Sequence, residues 1–180
     1  MPIGRLVTLA GVLLIAMMIL PQRSEAAGSV GLWGGTSFGM TEAQVRKAVP
    51  KALRPEDPGT LAGGTSELLR LSGITISGHS YTAHFYFTKG KLKQVTLSAD
   101  QRRPFQLMKG VFDDLVVLLR AKYGKELTQK VETGQLSSSA SADFLSGRTN
   151  VSMVLLGVEG TPAILNINYQ ARIAGEADKL

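Results

Sequence analysis

No cysteine occurs among the 180 residues. That excludes disulfides, thiolate metal sites, a cysteine nucleophile and the lipidated cysteine of a lipoprotein. Histidine is nearly as scarce, at two, and aromatics make up only 6% of the chain. These are too few and too scattered to stack bases or sugars. The sequence has no glycine-rich phosphate loop, dinucleotide fingerprint or metal-spaced cluster, so neither a cofactor nor a metal is expected. Only one long apolar run is present, and it lies at the start.

That run, LVTLAGVLLIAMMIL, follows Arg5 and carries no charge. Pro21 ends it, and Ser24-Glu25-Ala26 offers the small-x-small pattern that signal peptidase accepts. Fifteen residues fall short of the roughly 20 that cross a bilayer as a helix. The reading is a signal peptide over 1–26 cut after Ala26, with an uncleaved N-terminal anchor as the alternative. Paired arginines are missing near the N-terminus, which favours the general secretory route. The protein is therefore expected to be periplasmic or secreted, with no transmembrane helix once the leader is gone.

Cleavage leaves 154 of the 180 residues, one domain over 27–180 large enough for a core of its own. Arg5, Arg23 and Glu25 leave with the leader, so the net charge of +6 becomes +5. That value suits a soluble protein and gives mild attraction to anionic partners.

The alternation of apolar residues predicts an α+β fold, two helices packed on an antiparallel β-meander in the order α-βββ-α-ββββ. Each half is a helix followed by a meander, which hints at a duplicated unit. Residues 27–40 are glycine-rich, with Trp33 and Phe38 as anchors. Thr41 and Gln44 form a capping box, and Met40 and Val45 a hydrophobic staple. Val45, Ala48 and Val49 are the buried stripe, and Pro50 is the stop. Residues 50–66 read as a loop, and the parity switch around Gly73 as a bulge or turn. Tyr81, Ala83, Phe85 and Phe87 alternate inward up to a Lys89-Gly90 turn, and Val95 and Leu97 continue on the next strand. The second helix opens at Pro104 and ends at Gly124. Its stripe runs through Phe105, Met108, Val111, Phe112, Leu115, Leu118 and Leu119. Strands follow at 126–133, 140–146, 149–156 and 163–170, with the serine-rich residues 137–141 as a loop and 171–180 as a frayed end.

Candidate chemistry is thin. Gly35-Thr36-Ser37-Phe38-Gly39 matches the nucleophile-elbow pattern, but that motif needs a parallel sheet behind it and a helix starting at the serine. Neither is available here, so no catalytic residue is assigned. His79 and His84 are five apart on one strand and face opposite sides, which prevents a shared metal or proton. The pairs Glu56-Asp57 and Asp113-Asp114 read as solvated charge, because adjacent helix positions diverge by about 100°. Asn150-Val151-Ser152 is a sequon within a strand and is discounted. Positive charge gathers at Arg46, Lys47, Lys51 and Arg54, and again at Lys89, Lys91 and Lys93. The second set either guards a strand edge or meets an anionic partner.

Phe38-Gly39-Met40-Thr41, with Gln44-Val45 and Pro50 after it, resembles the helix that opens small periplasmic domains of the SmpA/OmlA (BamE-like) and β-lactamase-inhibitor-protein-like group. Leu119 to Gly124 is similar to the helix ends of such domains. The chain lacks the lipidated cysteine of the former and the disulfides of the latter. The resemblance implies a protein-binding module rather than an enzyme, and carries over no functional residue. The expected function is thus an exported, non-enzymatic domain that recognises another macromolecule of the cell envelope, and not nucleic acid. The expected contacts are Thr82, His84 and Tyr86 on one strand face, Lys89, Lys91 and Lys93, and the loop at 55–64. The alternatives are an inhibitor of a secreted hydrolase and a hydrolase using Ser37.

Overall fold

Two-residue turns with both residues at positive φ match the right-handed twist of a hairpin, and two such turns organise the first half of the chain. Lys89 and Gly90 stand at φ 49° and 71°, and Ser77 and Gly78 at 48° and 75°. They join β2 (Thr65–Ile76), β3 (His79–Thr88) and β4 (Lys91–Ala99) into a meander. The computed structural model describes residues 29–172. The leader expected over 1–26 and most of the expected frayed end fall outside those residues.

Before the meander come α1 (Glu42–Ala48) and β1 (Thr60–Leu61); after it come α2 (Phe105–Tyr123), β5 (Thr128–Thr133), β6 (Ser137–Ser146), β7 (Thr149–Val158) and β8 (Ile164–Ala171). All pairings are antiparallel, in one sheet of order β1-β2-β3-β4-β8-β7-β6-β5. The fourth strands of the two halves thus lie side by side at the centre.

This corrects the expected α+β layout. The molecule is a β-rich half-barrel in which helix is a minor part, and each half contributes four strands. Strong capping chemistry gave the helices more weight in the sequence than they have in space. α1 has its full capping box, with Gln44 N–H donating to Thr41 Oγ1 and Thr41 N–H to Gln44 Oε1, yet it spans only 7 residues before Pro50. Val45 and Val49 are buried, whereas Ala48 is exposed. Residues 60–66, expected as loop, make the short β1–β2 hairpin across Gly63 and Gly64. Gly73 is a bulge inside a single strand rather than a turn.

The core lies on one face of the sheet. Leu69, Phe85, Leu97, Phe144, Met153 and Leu155 are all completely buried there. α2 packs over β6 and β7 through Met108, Val111, Phe112, Leu115, Val116 and Leu119. Leu118, expected inside, is turned outward and Val116 takes its place. The small buried residues Ala140 and Ala142 lie on β6, a strand that α2 crosses. Residues 137–141 belong to this strand and are not a loop, because all five pair in register with β7, from Ser137↔Val158 to Ser141↔Val154.

Gly157 is required sterically at the start of α2. A methyl group there would stand 2.6 Å from Phe105 Cβ, far inside contact distance. Gly157→Ala is expected to destabilise by about 1–3 kcal/mol, the usual cost of overpacking, measured by chemical denaturation. A change within error would show that Phe105 moves aside freely.

Candidate binding face

Side chains opposite in parity to the core form the other face of the sheet, and register lines them up in rows. One row reads Arg70, His84, Thr96, Asn168, Ser152, Asp143 and Thr128 from β2 to β5. Its neighbours pass through Glu67, Tyr86, Gln94, Gln170 and Asn150, and through Thr82, Ser98 and Asn166. Neither of the helices uses this open face for its buried contacts.

At the centre the rows are uncharged and hydrogen-bonded to one another. Gln94 Nε2 donates to Thr96 Oγ1 at 2.8 Å and to Asn168 Oδ1 at 3.2 Å. Thr96 Oγ1 donates to Asn168 Oδ1 at 2.9 Å, and Gln170 Nε2 donates to Gln94 Oε1. Each bond fixes an amide that would otherwise sample several rotamers, so the face presents its remaining donors and acceptors in set directions.

Toward the β2 side the charge is concentrated in one knot. The Glu67 side chain has no exposure and accepts four hydrogen bonds. Arg70 donates from Nε to Oε1 and from Nη2 to Oε2, both at 2.8 Å. Gly59 N–H reaches Oε2 at 2.9 Å, and His84 Nδ1 meets Oε1 at 2.8 Å. Burial pushes the Glu67 carboxyl up, but the bonds from Arg70, Gly59 and His84 outweigh it and hold it below the usual range. The carboxylate bond in turn raises Arg70. A buried ion pair tends to break even only when its lone pairs are satisfied, and here they are. A carboxylate can only accept, so Nδ1 of His84 carries the proton. The ring of Tyr86 stacks on His84 at 6.3 Å between centroids. A Cβ at Gly59 would stand 3.2 Å from the Tyr86 hydroxyl and 3.3 Å from Glu67 Oε2, a tight fit that would press on both. Arg70 also holds the 55–59 loop by donating to the Asp57 carbonyl at 3.0 Å.

Of the residues expected to make contact, Thr82, His84 and Tyr86 do share the open face. Thr82 donates to Asp100 at 2.8 Å. Of the three lysines only Lys91, opposite Thr88, takes the register of that face. Lys89 and Lys91 are exposed at the hairpin turn. A bulge displaces Lys93 from the register, and its Nζ lies 4.4 Å over the Phe38 ring. Nor do they guard an edge, since β3 and β4 are interior strands. The other basic set is partly neutralised, because Glu42 bridges Arg46 and Arg54 at 3.0 Å each.

Glu67, Arg70 and the amide lattice were not singled out from sequence. In a regular strand Glu67 and Arg70, three apart, would face opposite sides. The register shift between Glu67 and Leu69 brings them together. Ser37 is tied to residues 31–40, whose Trp33 packs on Phe85 from the core side. His84 points to the other face. Among the described residues no group of three acidic, histidine or cysteine side chains could hold a metal, and no helix is long and apolar enough to cross a membrane. An open groove of about 560 Å³ lies beyond the start of α2, but among the described residues Glu159 is the one ionisable residue lining it. No protein-family model, curated protein or solved structure matches the chain.

Proposed function

We propose that the chain is an exported, non-enzymatic binding module of the cell envelope that docks another macromolecule on the open sheet face. The observation that carries this reading is the uncharged amide and hydroxyl lattice of Gln94, Thr96, Asn168 and Gln170, held rigid by its own bonds. A preordered polar surface loses little side-chain entropy on binding. The Glu67 knot lies beside it, with His84 and Tyr86 as ring edges. The leader pattern of residues 1–26 supports export, and the resemblance to inhibitor-like domains makes a secreted hydrolase one candidate partner.

Site-specific photocrosslinking in the intact envelope tests the proposal. A photoreactive residue at Gln94, Asn168 or Gln170 is expected to give one discrete adduct. Probes at Val117 or Leu118, exposed on α2, are expected to give none. Equal adducts from both faces, or adducts from α2 alone, would remove the open face as the docking surface.

A further inference from the structure

β5 ends the sheet, and all six of its residues, TQKVET, are exposed. On its paired side the register runs from Thr128↔Asp143 to Thr133↔Ser138. Beyond its end Gly134 N–H donates to the Ser137 carbonyl at 2.9 Å, which sets the phase of the ladder. Antiparallel bonding alternates residue by residue. With Gly134 bonded inward, Glu132, Lys130 and Thr128 spend their backbone groups on β6. Gln129, Val131 and Thr133 therefore aim theirs away from the sheet, where no strand lies among the described residues. Lys130 and Glu132 stand on the open face opposite Ser141 and Ser139, and Val131, 50% exposed, on the helix-covered side opposite Ala140.

We propose that this edge pairs with the same edge of a second copy of the chain, antiparallel about a two-fold axis through Val131. For outward groups to meet outward groups, symmetric registers can change only in steps that recentre the axis by one residue. Centring on Lys130 sets two lysines face to face, and centring on Glu132 sets two glutamates face to face. Directly opposite like charges are destabilising. Centring on Val131 sets each Lys130 against Glu132 of the second copy, in the non-hydrogen-bonded positions where side chains come closest. Val131 then meets its own counterpart, and Gln129 meets Thr133, with the free N–H and C=O groups of all three satisfied. A lysine on an edge strand normally discourages pairing. Here Glu132, two residues on, makes that lysine complementary to one partner edge, its own. A two-fold axis perpendicular to the sheet keeps the faces in register, so the two open faces become one continuous surface.

Sedimentation equilibrium of the protein, purified as the cell makes it, reads this out. The wild type is expected to shift from monomer to dimer with concentration. Lys130→Glu and Glu132→Lys each place like charges opposite one another and are expected to weaken self-association about tenfold or more. Mixed in equal amounts, the two variants are complementary and are expected to recover a dimer containing one of each. Circular dichroism and Trp33 fluorescence confirm that both variants are folded. A wild type that stays monomeric at its highest soluble concentration overturns the proposal. So do variants that associate as tightly as wild type, or a mixture that recovers nothing.

Discussion

Glu67→Ala is expected to cost about 3–5 kcal/mol of folding stability at neutral pH, the scale seen when one partner of a buried pair is removed. Arg70 would keep the Asp57 carbonyl and a longer pair with the exposed Asp57 carboxylate at 3.4 Å, but lose the buried carboxylate that takes two of its N–H groups. His84 Nδ1 and Gly59 N–H would lose their acceptor together. Glu67→Gln is a sharper probe, since an amide has one acceptor oxygen and turns an NH₂ toward two of the four donors. It too should destabilise, by less. A companion Glu67→Leu/Arg70→Met variant should be more stable than Glu67→Leu alone, because the second change removes a half-buried charge left with only the exposed Asp57 as partner. Urea denaturation of the set decides the matter. A loss below about 1 kcal/mol for Glu67→Ala would mean that water reaches the knot and screens it as at a surface.

The same knot sets a pH dependence. The folded carboxyl is held below its ordinary value of 4.5, so the unfolded chain takes up its proton first as the solution is acidified. The stabilisation is complete above about pH 4.5 and is lost as pH falls through the folded value. The stability gap between wild type and Glu67→Gln should therefore be widest near neutrality and close in acid.

Phe85→Ala is expected to lose about 3–5 kcal/mol, the range for truncating a fully buried phenylalanine. Phe85 is fully buried at the middle of β3, between Leu69 and Val95 in the register. Its ring meets Trp33 at 6.3 Å and 53°, which pins residues 31–40 to the core. Trp33 is the one tryptophan, so its emission reports the release of that segment directly. The expected result is a red-shifted Trp33 in the folded variant together with a lowered denaturation midpoint. An unshifted emission would show that the backbone bonds from Gly39 to Leu92 and from Leu92 to Met40 hold the segment without the ring.

Features encoded within a few residues were legible in the sequence. The Thr41–Gln44 box, the Lys89-Gly90 turn, the inward alternation of Tyr81, Ala83, Phe85 and Phe87, and the glycine end of α2 each depend on local backbone geometry. The face shared by Thr82, His84 and Tyr86 followed from the same two-residue period. The bulge at Gly73 showed as a switch of parity, but two others did not show. The displaced Lys93 broke an expected line of lysines, and the shift after Glu67 created a pair that regular alternation forbids. Legibility failed also at residues 137–141, where composition spoke for a loop and pairing with β7 made a strand.

The sequence by itself determined the caps, the tight turns and the strands with a regular two-residue period, because those choices are made by sterics and hydrogen bonds within one or two turns of chain. Tertiary structure alone decided that β4 joins β8, that Glu67 is buried with four donors around it, and that β5 is an edge of the sheet among the described residues. Each of these depends on which distant segments become neighbours, and a buried charge or an unpaired edge has meaning only once those neighbours are in place.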